Sequence, residues 1–229
     1  MTTVVIEPAH CGPAGSGNGG WTAGLLAAYL PEPDAVTVTL RRPPPLERPL
    51  DVRRDDTRVA LLDGGLLVAE AEPGEVPEPV EPVDQGVARA AEPAYAGLVD
   101  HPFPGCFVCG PEAVEGIGLR LRPGPVAPGR TACTWTPQPT QLEAAHVWAA
   151  LDCPGGWTGD LVGRPMVLGR ITAVVRRLPR SGEPLVVVGA LVDAVGRKSR
   201  TATSVYDAAG RVVGSAVHTW IRVDPRTFD

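Results

Sequence analysis

The sequence predicts an α+β protein in which two antiparallel sheets each wrap a central helix. Four β-rich runs follow a buried helix in the last third of the chain, and the same order recurs in shorter form in the first third. A proline-rich, acidic segment separates the two copies. With 229 residues and a 44% hydrophobic content, the chain is long enough to bury a large core.

The second copy gives the clearest pattern. Its four runs are MVLGRITAVVRR, PLVVVGALVDAV, SRTATSVYD and RVVGSAVHTWIRV. The segments between them, LPRSGE, GRK and DAAG, have turn compositions, so the pattern predicts consecutive antiparallel strands in a meander. Upstream, GRTACTWTP is typical of a hairpin strand that joins this sheet. Residues from Gln141 to Leu151 are apolar nearly all round, which predicts a buried helix between the limits set by Pro139 and Pro154.

The first copy repeats this order with GNGGWTAGLLAAYLP as helix, followed by AVTVTLRRP, PLDVRRD, TRVALLD and GLLVAEAE as strands. The copies can be aligned on GGWT, at 19–22 and 155–158, or helix on helix. The helix alignment pairs Asn18-Gly19-Gly20 with Glu143-Ala144-Ala145. We prefer it because the segment from Gly15 to Leu30 has room for only one helix, with Gly19 at its start.

These observations divide the chain into residues 1–72, a connector at 73–100, and residues 101–229. The connector begins with EPGEVPEPVEPVD, whose prolines and acids, without a basic residue, are typical of an extended, solvated segment.

Charge and cysteine content exclude several classes of protein. A net charge of −5 argues against a nucleic-acid partner. The N-terminus has no secretion signal, and the longest apolar run, from Leu185 to Val192, is too short to span a bilayer, so we expect a cytoplasmic protein without a membrane partner. The 5 cysteines are then expected to be reduced thiols.

Two motifs in the sequence resemble motifs of a known protein family. CFVCG followed by GLRL is similar to a run before the first strand of many hotdog-fold thioesterases, and EAAHVWAALD occupies the place of their HGGxxxxLxD helix. The chain therefore resembles the hotdog thioesterase superfamily in its tandem, double hotdog form. The resemblance implies that Asp152 on one helix acts on an acyl thioester, while backbone amides at the N-terminus of the partner helix hold the carbonyl oxygen.

The sequence departs from the family pattern in a complementary way. Ala113-Val114 replaces the asparagine-proline expected after CFVCG, and Glu143-Ala144-Ala145 replaces the HGG turn, with Glu143 at the position of the histidine. The first copy keeps Asn18-Gly19-Gly20 but has Ala27 where the acid belongs. One composite site is predicted to remain, built from Asn18, Gly19, Gly20 and Asp152.

Each residue of this composite site also has a simpler interpretation. Gly19 and Gly20 let a substrate approach the helix amides, but GPAGSGNGG is also typical of a flexible loop with Asn18 as a plain N-cap. Partial burial beside Trp148 and Leu151 would raise the pKa of Asp152 and make it a better base. The alternative is a solvated carboxylate at a helix end.

Two further clusters carry alternatives. His101, Cys106 and Cys109, with Cys133 or Cys153, could form a four-ligand zinc site, but a single CxxC is weak evidence, so we favour packed thiols and predict no metal. Arg197, Lys198 and Arg200 lie at a predicted turn, where they could hold the phosphates of coenzyme A or form a solvated hairpin tip.

The function that these residues predict is hydrolysis of a small-molecule acyl thioester such as an acyl-CoA. Asp152 would act as base or nucleophile, and coenzyme A would enter only as part of the substrate, with no other cofactor. The alternative is a protein that binds acyl groups or acyl-CoA without turning them over; a hydratase of the same fold comes third. Two such chains are expected to pair as a homodimer.

Overall fold

The computed structural model describes residues 2–31 and 33–228. Their sheet contains 11 strands in a single antiparallel array, ordered β1-β3-β4-β5-β2-β8-β11-β10-β9-β7-β6. The strands of the first half are β1 (Thr2–Val4), β2 (Val36–Leu40), β3 (Leu50–Arg54), β4 (Val59–Asp63) and β5 (Leu66–Pro73). Those of the second half are β6 (Gly124–Ala127), β7 (Arg130–Trp135), β8 (Met166–Val175), β9 (Leu185–Val195), β10 (Lys198–Asp207) and β11 (Val212–Arg222).

The predicted pair of separate sheets is corrected to one continuous sheet. β2 and β8 pair at its centre, with Val38 opposite Ile171 and a hydrogen bond of 2.8 Å between the Thr37 and Thr172 hydroxyls. Both strands are buried on the helix-facing side, so leaving their edges unpaired would cost backbone hydrogen bonds.

The strand order has the same plan in both halves. The first strand after each helix pairs with the last strand of its half, β2 with β5 and β8 with β11. The prediction of a simple meander is therefore wrong for β8, which does not neighbour β9. A connection of nine residues, 176–184, is longer than hairpin turns and lets the chain cross over, and the connection at 41–49 has the same length in the first half.

The three α-helices among the described residues are α1 (Gly19–Ala27), α2 (Gln85–Ala91) and α3 (Ala144–Gly156). α1 packs on β2, β4, β5 and β8, α3 packs on β7 through β11, and the two helices contact each other. None of the described helices has the length and apolarity that a bilayer span requires.

α3 extends beyond the predicted limit at Pro154 and ends at Gly156. A proline removes one helical hydrogen bond, but here the surrounding sheet supports the last turn: the Thr131 hydroxyl donates to the Pro154 carbonyl at 2.8 Å. Asp152 therefore lies inside the helix and not at its end.

The connector lies along the outer face of the second half of the sheet. The Ser215 hydroxyl donates to the Pro77 carbonyl at 3.1 Å, and the Val80 amide donates to the Ser204 hydroxyl at 2.9 Å. Val80 packs with Tyr206 in a small outer cluster that α2 also covers. These contacts fix the connector against the sheet, whereas the division of the chain at residues 72 and 100 stays a prediction.

Candidate active site

Asp152 is buried at the contact between α1 and α3, with 2% of its surface exposed. Its Oδ2 accepts hydrogen bonds from the Gly20 amide at 2.9 Å and from Asn18 Nδ2 at 3.1 Å. The alternative of a solvated carboxylate is wrong. Residues separated by 134 positions in the sequence thus meet at the start of α1.

Asn18 is the N-cap of α1, and its side chain also donates a hydrogen bond to Asp152. Its Oδ1 accepts from the Trp21 amide at 2.9 Å, so Nδ2 points toward Asp152. The alignment that pairs Asn18 with Glu143 agrees with the structure, because each residue is the N-cap of its helix. Glu143, by contrast, is exposed and makes no capping hydrogen bond with its side chain.

Gly20 allows the close approach of the two helices. A Cβ at this position would lie 2.5 Å from Asp152 Cβ and 2.7 Å from the Trp148 carbonyl oxygen. Because real Cβ atoms do not come so close, only glycine lets the amide reach the carboxylate. Asp152 therefore faces the positive end of the α1 dipole.

The electrostatics of Asp152 reflect its burial. Burial, with a smaller contribution from the nearby Cys106, raises the pKa of this carboxyl to about 7, against the opposing hydrogen bonds from Gly20 and Asn18. Its second oxygen, Oδ1, is buried and has no hydrogen-bond partner among the described residues. One oxygen of the carboxylate is thus held by the protein, and the other has no partner among the described residues.

A cavity of about 220 Å³ opens beside this carboxylate. Gly19 and Asn18 line it at the start of α1, and apolar side chains form much of its wall: Leu40, Phe103, Leu161, Met166, Leu168, Trp220 and Ile221. The Gly19 amide has no acceptor within the described part of the chain. The cavity therefore brings a carboxylate, an unpaired helix amide and an apolar wall together.

Three thiols line the same cavity. Cys106 Sγ lies 3.8 Å from Cys153 Sγ and 3.7 Å from Cys109 Sγ. Hydrogen bonds from the Cys109 and Cys153 thiols lower the pKa of Cys106. Cys133, the other fourth ligand considered from the sequence, is buried outside this group.

The predicted phosphate-binding residues lie elsewhere. Arg197 lies in the turn between β9 and β10, and Lys198 and Arg200 lie at the start of β10. None of them lines the cavity, and Arg200 forms an exposed ion pair with Asp193. Their proposed role stays a prediction.

Sequence reasoning missed Arg41, Arg42 and Cys153 as cavity residues. Arg41 is paired with Glu70, and Arg42 is exposed. In the sequence, Arg-Arg-Pro at 41–43 is only the end of the predicted strand AVTVTLRRP. The position of Cys153, directly after Asp152 on a buried helix, was the available signal for its place in the cavity.

The central helices wrapped by this antiparallel sheet define the class: the chain has the hotdog fold, as the resemblance implied. Three solved structures show the likeness over most of the chain. The tesB protein of Mycobacterium avium subsp. paratuberculosis has a TM-score of 0.63 and 15% identity, with 97% of this chain and 92% of that chain covered. A hotdog-fold protein of unknown function from Alicyclobacillus acidocaldarius has a TM-score of 0.60 and 15% identity over 92% and 89% of the two chains.

The third is the acyl-CoA thioesterase II TesB2 of Mycobacterium marinum, with a TM-score of 0.50 and 12% identity over 85% and 81% of the chains. The structural neighbours of this chain thus include hotdog-fold thioesterases of the thioesterase II type. No protein-family model matches the sequence, and no curated protein is significantly similar to it. Identities this low establish the fold and leave the function to the site.

Proposed function

We propose that the protein hydrolyses a small-molecule acyl thioester of the acyl-CoA type. The observation that carries this proposal is the buried Asp152 carboxylate, which lies in an apolar cavity opposite the N-terminus of α1 and 2.9 Å from the Gly20 amide. The thioesterase fold of the structural neighbours supports the same class of reaction.

The reaction requires a base and a donor for the developing oxyanion. Asp152 accepts a proton from water, whose oxygen attacks the thioester carbonyl carbon; the carbon–sulfur bond then breaks and the leaving thiolate takes up the proton. Attack by the carboxylate itself, through an anhydride that water then opens, is the second route. In both, the Gly19 amide is the free donor for the carbonyl oxygen, worth on the order of 3 kcal/mol of barrier.

Asn18 and Gly20 serve this arrangement by positioning the acid. Both donate to Oδ2, which fixes the carboxylate plane, and Oδ1, which has no partner among the described residues, is the oxygen that takes the proton from water. The apolar wall suits an acyl chain, because burial of each methylene contributes about 0.8 kcal/mol.

One observation favours the second candidate function, binding without turnover. Asp152 and Asn18 already occupy the Gly20 and Trp21 amides, so fewer helix donors remain for a substrate oxygen. A binding protein would still use the cavity but would not release the thiol.

Replacement of Asp152 by Asn tests the proposal. We expect thiol release from a panel of acyl-CoA thioesters to fall by about 100-fold or more, because general-base catalysis contributes at least that much. The melting temperature should not fall, since the substitution removes a buried charge. Thiol release is measured with a disulfide dye and stability by thermal unfolding.

Asp160→Asn is the matched control, because that carboxylate is exposed beyond the end of α3 and does not line the cavity. An Asp152→Asn variant that keeps the wild-type rate would remove the assignment. A thermal shift of the wild type with acyl-CoA, without any thiol release, would establish the binding alternative instead.

A further inference from the structure

The sulfur atoms of Cys106, Cys109 and Cys153 form a compact group on the cavity wall. All three lie within 4.8 Å of one another, and no other metal-ligating side chain of the described residues belongs to this group. Cys106 and Cys109 come from the loop before β6, and Cys153 comes from α3. The fold therefore brings together sulfur atoms from two separate elements, a loop and a helix.

The spacing of the sulfurs matches a tetrahedral metal site. Zinc–thiolate bonds of about 2.3 Å in tetrahedral geometry place neighbouring sulfurs roughly 3.8 Å apart. The separations from Cys106 Sγ are 3.7 Å to Cys109 Sγ and 3.8 Å to Cys153 Sγ, and Cys109 Sγ and Cys153 Sγ lie within 4.8 Å of each other. All three cysteines are free thiols in the structure.

N–H donors surround the sulfurs. Cys109 Sγ lies 3.4 Å from Trp157 Nε1, which donates to it, and 3.3 Å from His101 Nε2. His101 Nδ1 accepts the Phe103 amide at 2.9 Å, so the neutral ring carries its proton on Nε2 and donates as well. Asn18 Nδ2 lies 3.9 Å from both Cys106 Sγ and Cys153 Sγ.

Such donors stabilise negative charge on sulfur, as groups that hydrogen-bond to the ligands of a metal ion commonly do. His101 is one of these donors and not a metal ligand, because its Nε2 carries a proton and has no lone pair to give to a metal ion. From the sequence, His101 was a candidate metal ligand together with the cysteines. Its hydrogen bonds place it outside the set of ligands.

A second buried group of the same cavity lacks a partner. Asp152 lines the cavity, and its Oδ1 is buried and has no hydrogen-bond donor within the described residues. A buried carboxylate oxygen is ordinarily satisfied, so this one is expected to face a bound ligand.

We propose that Cys106, Cys109 and Cys153 bind one zinc ion as three thiolates, with the fourth coordination position open to the cavity. Binding releases the three thiol protons and leaves a tetrahedral site of the open type. This proposal differs from the interpretation as packed thiols that the sequence favoured. It is independent of the proposed hydrolysis, because the ion is detected without any substrate.

The test begins with the wild-type protein, produced in zinc-containing medium and purified without oxygen. We expect about one zinc per chain by elemental analysis, as in a single mononuclear site. After removal of zinc, added cobalt should give thiolate-to-metal charge-transfer bands and the visible bands of tetrahedral cobalt. Both measurements use the unaltered chain and do not depend on the folding of any variant.

Variants then identify the ligands. Cys106→Ser, Cys109→Ser and Cys153→Ser should each lose the charge-transfer bands or reduce them in intensity. Cys133→Ala, which removes an equally buried thiol outside the group, should keep the metal content and the spectrum. His101→Gln should keep the spectrum but weaken zinc affinity by about 10- to 100-fold, the usual effect of an outer-shell change.

The proposal is overturned if the wild type contains no zinc and gives no cobalt bands. It is equally overturned if a mass two units below that of the reduced chain shows a disulfide in the native protein. A Cys133→Ala variant that loses metal as the serine variants do would also exclude this ligand set.

Discussion

At the scale of single residues, Asn18 connects three parts of the site. Its side-chain oxygen Oδ1 accepts the Trp21 amide and so caps α1. Its side-chain nitrogen Nδ2 contacts the Asp152 carboxylate and two cysteine sulfurs. An aspartate at this position would cap the helix equally well but would place a second negative charge against Asp152. The amide is therefore the side chain that suits both roles.

Asp207 makes the stability of the fold depend on pH. Burial raises the pKa of its carboxyl, but hydrogen bonds from the amides of Arg211 and Ala209 and from the guanidinium groups of Arg211 and Arg177 outweigh burial and lower the pKa from 3.8 to about 2. Because the folded-state pKa lies below the unfolded-state value, this stabilisation is present above pH 3.8 and is lost as the pH falls toward 2.

We expect Asp207→Asn to lower the free energy of unfolding by on the order of 1 to 2 kcal/mol at neutral pH. The difference from wild type should shrink below pH 4, as measured by urea unfolding at a series of pH values. Asp193→Asn, which removes an exposed partner of Arg200, is the control and should change stability little. A deficit independent of pH would show that Asp207 acts through packing alone.

The sequence was sufficient to predict some of these residue contacts. The family resemblance, together with the helix alignment, predicted that Asn18, Gly20 and Asp152 share one site, and the N-cap pattern predicted Asn18 at the start of α1. Arg42 and Cys109 reach the cavity through loops, whose paths depend on the packing of distant segments. No local pattern encodes those paths.

At the scale of elements, the contact between α1 and α3 depends on glycine. A Cβ at Gly24 would lie 2.7 Å from Ala145 Cα and 2.9 Å from Trp148 Cβ, and Gly20 meets Asp152 in the same way. The two glycines are one helical turn apart, so they form a continuous groove for α3. The sequence showed two buried helices but not that their backbones touch.

We expect Gly24→Ala to lower the free energy of unfolding by about 1 to 3 kcal/mol, because the helices must separate to admit the methyl group. Chemical denaturation measures the change. Gly159→Ala is the matched control, since its Cβ would meet nothing within 4 Å, and it should stay within about 0.5 kcal/mol of wild type. Equal stability of the two variants would mean that the helix contact is looser than described.

Element boundaries show where sequence patterns fail. Pro154 was expected to end α3, yet the helix continues to Gly156 because Thr131 and the enclosing strands satisfy its last turn. The crossover after β8 was likewise hidden by LPRSGE, which has the composition of a turn. In both cases tertiary contacts outweigh a correct local preference.

At the scale of the whole molecule, the continuous sheet joins the two halves into one structure. Ile171 is fully buried on β8 and lies opposite Val38 of β2 and His218 of β11. Its core cluster includes residues of α1, α3 and both halves of the sheet. The repeated order of elements could be predicted from the sequence, whereas the pairing of β2 with β8 requires knowledge of long-range register.

We therefore expect a single unfolding transition. Calorimetry should give equal calorimetric and van't Hoff enthalpies, as for a two-state protein. Ile171→Ala should shift that one transition downward, with a loss of about 2 to 5 kcal/mol. Two transitions, of which the substitution moves only one, would show that the halves unfold independently.

The outermost strands β1 and β6 have a consequence for behaviour in concentrated solution. β1 contains 3 residues and β6 contains 4, and Pro125 together with an irregular register interrupts β6. Short, proline-broken borders offer few amide groups to a neighbouring chain, so end-to-end growth into fibrils is blocked at both sides. We therefore expect any self-association of this molecule to use side chains on its faces.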